Sequence, residues 1–575
     1  MFKNIHIEKR VGLSITDGFD SDVTCVVCHP TDPDVFITGT EAGVLTMWNI
    51  ATRDIIDSVK LGGAISSIAI HPKGMTAVAG VGNGKLQFVA LCGVDEDKLS
   101  RLTVGREIKE LSQSISMITF SPCGEYLATG DLGRYVALFH YYHRDERKNK
   151  PVEWIYVGRY RSHRKPIVSV AFLPGNWAAK NKSLAKLNET SVIKSPPRLF
   201  SLGEDRLMHE YDVLRSSIRK GLQLKNTTRT EGMYVPTSFT PIGGESSCLV
   251  CANDNYQIKL WKGQAEEAEK PYSCVRTTLS PTYGGPLNKI KVVPSIGEDG
   301  VSTYDSQYLM YTTFNKVIGM VKMPLDGNPM KTSALIAHCG EITSSACTCD
   351  GKYVITAGGY DRSVCLWNVS TAALESSSII GGDSNRAYLG LLEGGENGKA
   401  ISDMKDYFYL CQLKDQGLNT TETRKITHKI PADQVISLFQ AMGFYPTQTE
   451  IDNLMHEMEV SESIPKSETG VPQVDFDNLI RLYVNHRPVY GLTRRKVDET
   501  LQALIKGNGS KIAKEDLLDK IMSYGDAMTK EEVTESLRFL QGAKRDATYD
   551  EVVAALPATM DANGIAEDLL GLTCH

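Results

Sequence analysis

No run of about 18 consecutive apolar residues occurs in this 575-residue chain, so no helix is predicted to cross a bilayer. The first residues, MFKNIHIEKR, lack an apolar signal-peptide core, and synthesis in the cytosol without secretion is expected. Catalytic constellations are missing too. We find no convergent nucleophile and base, no glycine loop shaped for phosphate and no metal-ligand cluster, so the chain is not read as an enzyme. A net charge of −6 and the lack of a recognised nucleic-acid module exclude nucleic acid as the expected partner. Cysteine is not scarce, at 13 residues, but its two C-x-x-C pairs, Cys25/Cys28 and Cys248/Cys251, fall inside apparent strands. There the two thiols of a pair point to opposite faces, so buried reduced thiols are expected rather than zinc. With 41% hydrophobic and 23% charged residues, the chain can bury large cores in more than one domain.

What is present is repetition. The segment HCGEITSSACTCDGKYVITAGGYDRSVCLWNVS, from His338 to Ser370, holds three alternating β runs separated by Cys-Asp-Gly and Gly-Gly-Tyr-Asp turns. Such a unit cannot bury both faces alone and requires neighbours of its kind. Turn landmarks recur at Pro30, Pro72, Pro122, Pro174, Pro241, Pro294 and, in the proline place, Asp350. Each is followed by a second-strand pattern and a third strand ending at Trp48, Phe88, Phe139, Tyr211, Trp261, Val321 or Trp367. Seven units are therefore countable between about Asp22 and Ser370.

These units resemble WD repeats, and the resemblance implies an all-β seven-bladed WD40 β-propeller over residues 1–370. In that family a His, a Ser or Thr, an Asp and a Trp form a buried hydrogen-bonded tetrad. The matching residues are His338, Thr356, Asp361 and Trp367 in the last unit, and His163, Ser201, Asp205 and Tyr211 (replacing Trp) in the fourth. The fifth unit keeps Trp261 with Asn255 in the Asp place, and the first has Ala42 there. The tetrad's role is structural, because buried polar groups must satisfy one another. The alternating residues Asn4–Lys9 are expected to pair with the third strand of the last unit and so close the ring. That last unit is also expected to anchor the C-terminal part of the chain.

Charge divides the chain. Residues 426–575 carry a net −9 and residues 1–425 a net +3. Within the latter, Arg144, Arg147, Lys148, Lys150, Arg159, Arg161, Arg164 and Lys165 form a candidate docking patch for an acidic surface, with a solvated loop as the alternative. An insertion from Gly175 to Arg198 reads as an exposed excursion. Residues 371–425 read as a connector with a short helix around Asp406–Leu410.

From about Ile426 the period becomes helical, with Thr449 and Thr529 placed as helix N-caps. Short β-like stretches at Gln473–Phe476, Ser510–Ile512 and Ala547–Tyr549 precede exiting helices. This alternation resembles calmodulin-like EF-hand pairs and implies an all-α domain over residues 426–575. A calcium loop needs oxygen ligands at positions 1, 3 and 5, Gly at 6 and Glu at 12. Set on Ile512, those first three places fall on Ile505, Gly507 and Gly509; set on Ala547, they fall on Leu540, Gly542 and Lys544. The loop before Val474 offers only Ser467 and Thr469, and Asp561–Gly564 has no closing Glu. No cofactor, calcium included, is expected. Met442, Leu454, Met455, Met458, Leu479 and Leu482 form a candidate helix-binding groove, with plain core as the alternative.

The order of these parts is similar to that of the cilia- and flagella-associated protein 251 family of WD-repeat and EF-hand proteins. The stretches YVGRYRSHRKPI, RLFSLGEDRLMHEYD, ITAGGYDRSVCLWNVS and FQAMGFYPTQTEIDNLMHEM carry the likeness. Members are usually longer, with a further N-terminal WD region, so a short homologue or a split gene is expected. The resemblance implies a non-enzymatic scaffold of the motile-cilium axoneme, in the calmodulin- and spoke-associated complex at the base of radial spoke 3, supporting dynein regulation. The partners it implies are other subunits of that complex, radial spoke 3 proteins, calmodulin and the tubulin of the doublet microtubule, with neither nucleic acid nor membrane. The alternatives are a calcium-sensing adaptor and a WD40 substrate receptor of a cytosolic complex.

Overall fold

A computed structural model describes residues 4–6, 11–13, 19–82, 84–95, 98–142, 153–173, 197–243, 248–263, 272–296, 302–303, 307–381, 385–417, 419, 421, 423–468, 470–490, 494–505, 511–525, 527–544 and 546–570. The chain divides into two compact units, Met1–Arg487 and Pro488–His575.

In the first unit, six four-stranded antiparallel sheets and one three-stranded sheet follow one another and form a seven-bladed propeller. Blade 1 runs from Val23–Cys28 outward to Ile55–Lys60, and blade 7 contains Ser344–Cys347, Tyr353–Ala357 and Val364–Asn368. Because strand residues alternate between two faces, each blade presents apolar groups to both neighbours. Apolar clusters accordingly lie between blades. Ile37, Leu45 and Met47 of blade 1 join Ile65, Ala77 and Val89 of blade 2, and Phe36 and Trp48 of blade 1 join Ala346 and Ile355 of blade 7.

Polar links tie each blade to the next. His29 and His71, the histidines of the first two landmarks, reach the following blade's turn, with Nε2 at 2.9 Å from Gly74 O and 3.1 Å from Gly124 O. Gly74 has φ +79°, and a Cβ there would lie 2.4 Å from the His29 ring, so only glycine fits. Before the third strands of blades 3, 4 and 7, Arg134, Arg206 and Arg362 sit at positive φ. Their guanidinium groups donate to Arg164 O, Gly232 O and Asp22 in the approach to the next blade. The left-handed conformation costs of order 1 kcal/mol each, and each interblade bond offsets it.

Ring closure differs from the sequence expectation. Asn4–His6 pairs antiparallel with Val11–Leu13 and not with blade 7, whose sheet has three strands among the described residues. A three-residue alternating stretch specifies an edge but not which one, and a nearby strand in sequence is the entropically cheaper partner. The seam between blades 7 and 1 is held by Thr343 Oγ1 donating to Val23 O (2.8 Å), Ser344 Oγ donating to Val26 O (3.4 Å) and a bridge between Val23 and Gly359.

The connector is also more than a link. It contains helices α1 (Ala372–Gly381), α2 (Arg386–Leu389) and α3 (Lys399–Asp415). Helix α3 opens a lobe with α4 (Ala432–Ala441), α5 (Gln448–Val460) and α6 (Phe476–His486). Lys429–Pro431 pairs with Gln473–Asp475 ahead of α4 and α6. A capping box on Thr447, not Thr449, starts α5, because the Thr447 side chain accepts from Glu450 N while Glu450 returns to Thr447 N. The expected single domain over 426–575 is therefore split at Arg487, and its first half is built around a connector helix.

The second unit holds α7 (Arg494–Ile505), α8 (Lys514–Ser523), α9 (Lys530–Gln541, capped by Thr529) and α10 (Tyr549–Ala554). Ile512–Ala513 pairs with Thr559–Met560, so the second β stretch lies after α10 and not at Ala547–Tyr549. Thr548 instead opens α10 through a capping box with Glu551. No helix among the described residues is long and apolar enough to cross a membrane.

Candidate functional site

The structure brings two tetrads together. In blade 7, His338 Nδ1 lies 2.8 Å from Asp361 Oδ2 and its Nε2 lies 2.7 Å from Thr356 Oγ1, which accepts from Trp367 Nε1 at 2.9 Å. In blade 4, His163 contacts Asp205 (3.0 Å) and Ser201 (2.8 Å), and Ser201 Oγ meets the Tyr211 hydroxyl at 2.8 Å. Blade 1 keeps the outer half of the motif, Trp48 Nε1 donating to Thr38 Oγ1 at 2.9 Å.

Burial disfavours a charged His338, but hydrogen bonds and charge from Asp361 and Cys365 together outweigh it, and the ring is pushed up from 6.5 to about 9. In His163 burial prevails and the shift is downward. A raised histidine contributes fully below its unfolded value near 6.5 and loses that contribution as pH rises through about 9. Melting temperatures of the whole chain should therefore fall between pH 7 and pH 9.5. Asp361→Asn should flatten that dependence, and a profile identical to the parent's would refute the assignment.

Blade 5 departs from this plan. Thr230 N donates to Arg206 O just as Ala337 N donates to Lys316 O, which puts Glu231 in the place His338 holds in blade 7. Glu231 is 2% exposed and pairs with Lys259, also 2% exposed, at 2.6 Å. The residue in the His place thus pairs with a third-strand lysine, where His338 and His163 pair with Asp361 and Asp205. Asn255, in the Asp place, leaves its Nδ2 without a hydrogen-bond partner. Cys251 takes the Ser/Thr place, two residues past Leu249, which pairs with Trp261. The Trp261 indole N–H is left without a partner as a result. Restoring the acceptor with Cys251→Ser should stabilise the blade by about 1 kcal/mol. An unchanged or lower melting temperature would show that the hydroxyl does not reach the indole.

The blade 5 network continues into the helical lobe. Asn253 Nδ2 donates to Glu231 Oε1 (3.3 Å) and Gln257 Oε1 (3.1 Å), and Gln257 Nε2 donates to His486 O (2.9 Å) at the end of α6. Glu457 on α5 accepts from the backbone N of Thr277 at 2.9 Å and faces His486 Nε2 at 3.0 Å. Asn485 accepts from Leu279 N at 3.0 Å and donates to Asp326 O at 3.0 Å. Thr277 and Leu279 lie on the outer strand of blade 5, Ser273–Leu279, whose inner neighbour is Gln257–Lys262. Two helix side chains thus take edge amides that a fifth strand would otherwise claim. Alternate edge residues present their N–H groups outward, which is why acceptors on adjacent helices can reach two of them. The lobe is anchored on blade 5, not on blade 7 as the sequence suggested.

The candidate groove is a filled core. Leu454, Met458, Leu479 and Leu482 are buried, and Met442 and Met455 pack against them partly buried. The same cluster contains Tyr388 and Leu392 from the α2 region and Met404 and Phe408 from α3. The Arg481 guanidinium lies 5.7 Å from the Tyr388 ring centre, and Arg487 donates to Leu391 O at 2.7 Å. The chain's own connector occupies the place where a partner helix was expected, because tethering makes its effective concentration high.

Of the candidate docking patch, Arg159 and Arg161 are exposed on the outer strand of blade 3, and Arg164 and Lys165 are exposed on the way into blade 4. Arg159 lies over the Tyr135 ring at 4.8 Å. Arg144, Arg147, Lys148 and Lys150 lie outside the described residues, as does most of the 175–198 insertion. Cys25 is buried, which pushes its thiol up to about 11. Both C-x-x-C pairs sit within strands, Val23–Cys28 and Cys248–Asn253. Among the described residues no three His, Cys, Asp or Glu side chains are placed to hold a metal ion together.

Comparison with known proteins adds to this geometry. Residues 399–570 match the family model described as the CFAP251 C-terminal domain. Residues 327–368 match the WD domain, G-beta repeat. The chain is 30% identical, over 96% of its length, to the cilia- and flagella-associated protein 251 of Pongo abelii, covering 46% of that protein. Over 99% of its length it is 30% identical to the protein of the same name from Tetrahymena thermophila, covering 59%. The chain is similar over nearly its whole length to proteins named cilia- and flagella-associated protein 251, and it carries that family's C-terminal domain. The Chlamydomonas reinhardtii relative is 23% identical over 99% of the chain, of which 54% is covered. The chain therefore spans about half the length of the curated relatives it matches. The match to the family's C-terminal domain begins at Lys399, the first residue of α3, and so counts that helix with the lobe it completes. The WD match falls on blade 7 and the approach to it, where the tetrad is complete.

Proposed function

We propose that this chain is a structural scaffold of cilia or flagella, a docking body with no catalytic role of its own. The observation that carries this reading is the likeness, over nearly the whole chain, to proteins named cilia- and flagella-associated protein 251. The fixed junction at blade 5 supports it, since a lobe held by buried polar contacts moves with the propeller as one body. At finer detail we place the chain in the calmodulin- and spoke-associated complex at the base of radial spoke 3, beside doublet tubulin, where it supports dynein regulation. Arg159, Arg161, Arg164 and Lys165 would face an acidic partner surface there.

We read both helical lobes as EF-hand pairs that need no calcium. Each places a short antiparallel ladder ahead of its helices. In the first lobe the Gln416 side chain bridges Lys425, accepting from its N–H at 2.9 Å and donating to its carbonyl. A side chain thereby closes the turn that a cation closes in calcium-loaded loops. A tagged copy expressed in a ciliated cell tests the location: axonemal signal supports the proposal, and diffuse cytosolic signal overturns it. Calorimetry of the whole chain with calcium tests the lobes, and micromolar binding would favour the calcium-sensing adaptor.

A further inference from the structure

We propose that the central channel of the propeller holds a small oxyanion of the phosphate or sulfate type, bound between the ammonium groups of Lys289 and Lys291 on blade 6.

The first strand of each blade is its innermost, and first strands of adjacent blades meet around the axis, as Val23–Cys28 meets both Ile65–Ile70 and Ser344–Cys347. In order round the ring their sequences are VTCVVC, ISSIAI, ISMITF, IVSVAFL, PTSFTPI, LNKIKV and SSAC. Two charged residues stand in this inner wall, Lys289 and Lys291, and both are cations. Ile290 and Val292 pack in the apolar cluster shared with blade 5, so period-two alternation turns both lysines toward blade 7. There Lys289 Nζ donates to Thr343 O at 2.7 Å, and Lys291 Nζ donates to Ser345 O. Elsewhere in the wall hydroxyls make the equivalent links: Thr24 to Ile65 O, Ser66 to Ile115 O, Ser169 to Phe239 O and Thr343 to Val23 O. Joining first strands therefore needs no charge, and the two positive charges call for another explanation.

Among the described residues neither lysine has a carboxylate at ion-pair distance. Cys25, Cys28 and Cys347 lie near them, but burial pushes all three thiols up, Cys25 to about 11 and Cys347 to about 12, so they are neutral at pH 7. Glu341 is the one carboxylate among the described residues that acts on either lysine; it is exposed ahead of blade 7, and its pull on Lys289 is weaker than the effect of burial. Both ammonium groups are held below their usual range, chiefly by burial; in Lys291 the Lys289 charge adds to it, and the group is brought down to about 8. Each ammonium has three donors and uses one on a carbonyl. The two carbonyls are two residues apart on one extended strand, which sets the Nζ atoms roughly 6–7 Å apart. A tetrahedral oxyanion spans that gap with charge-assisted bonds of about 2.8 Å to each side. Its negative charge offsets both the repulsion between the lysines and the cost of their burial.

Calorimetry on the purified whole chain tests this, titrating inorganic phosphate at pH 7 with ionic strength held by sodium chloride. We expect saturable binding, competed by sulfate and not by chloride. Lys289→Gln together with Lys291→Gln keeps a side-chain donor at each position and removes the charge, and it should weaken binding about tenfold or more. The parent chain offers a second readout that needs no variant. An acylating reagent modifies lysine only as the free amine, and a bound oxyanion both covers the amine and favours its charged form. Phosphate should therefore slow acylation of Lys291 about fivefold or more. Exposed Lys60 should react at the same rate with and without phosphate, both sites being read by peptide mass spectrometry. Absence of saturable binding would overturn the proposal. So would equal affinity in the parent and the double variant, or phosphate that binds without shielding Lys291.

Discussion

Lys259→Met is expected to destabilise the chain by about 3–5 kcal/mol, because it leaves a carboxylate buried without its cation. Glu231 and Lys259 are each 2% exposed and meet at 2.6 Å. Burial holds the Glu231 carboxyl above its ordinary range even with Lys259 beside it. Without the lysine that carboxyl takes up a proton more readily still, so the variant's deficit should shrink as pH falls toward 5 and grow as pH rises. Glu231→Gln together with Lys259→Met should recover most of the loss, since the cost lies in the orphaned charge and not in the missing bond. Trp261, in the same strand as Lys259, is a natural fluorescence reporter for the unfolding of this blade. A single variant as stable as the parent, or a double variant no better than the single, would refute the account.

Glu457→Ala should release the lobe from blade 5. The substitution strands two buried donors, Thr277 N and His486 Nε2, which now lie 2.9 and 3.0 Å from the carboxylate. An orphaned buried donor costs about 1–3 kcal/mol, so the junction should lose about 2–4 kcal/mol. With each 1.4 kcal/mol worth about tenfold in the opening equilibrium, the Thr277 amide should exchange about 30-fold or more faster. Leu279 should behave likewise, because its acceptor Asn485 is carried by the same lobe. The amides of the blade 7 strand Tyr353–Ala357 should not change. Uniform acceleration across all blades would mean that the whole propeller was destabilised instead, and unchanged Thr277 exchange would mean that Glu457 is not the anchor.

The propeller was legible because blade strands obey local rules. Period-two alternation, a turn with Pro or Gly, and a closing aromatic residue are all written within some 40–50 residues. The His338 and His163 tetrads were legible for the same reason. The blade 5 junction was not, because its members come from strands and helices about 180–230 residues apart, and no local pattern marks such a contact. Two signals were present nonetheless. Glu231 comes after Thr230 in register with His338 after Ala337, and Lys259 interrupts the apolar face of QIKLWK. Groove and plain core could not be told apart in sequence, because amphipathic spacing reports that a helix face is buried and not what buries it; the structure shows core. The N-terminal strand failed on another ground: alternation in Asn4–Lys9 describes how a strand pairs, and the choice of partner depends on the cost of closing a loop.

The seam at blades 7 and 1 makes this propeller a split washer, not a welded ring. Around most of the circumference, adjacent blades are consecutive in the chain, so parting them still leaves a covalent tether. At the seam, Thr343, Ser344 and Arg362 reach Val23, Val26 and Asp22 across more than 300 residues of sequence. Among the described residues, side-chain bonds, one isolated bridge between Val23 and Gly359 and one apolar cluster resist separation there. Under a pull directed around the rim, the disc yields at that joint first and opens as a C, leaving the blade 5 attachment, two blades in from the seam, in place.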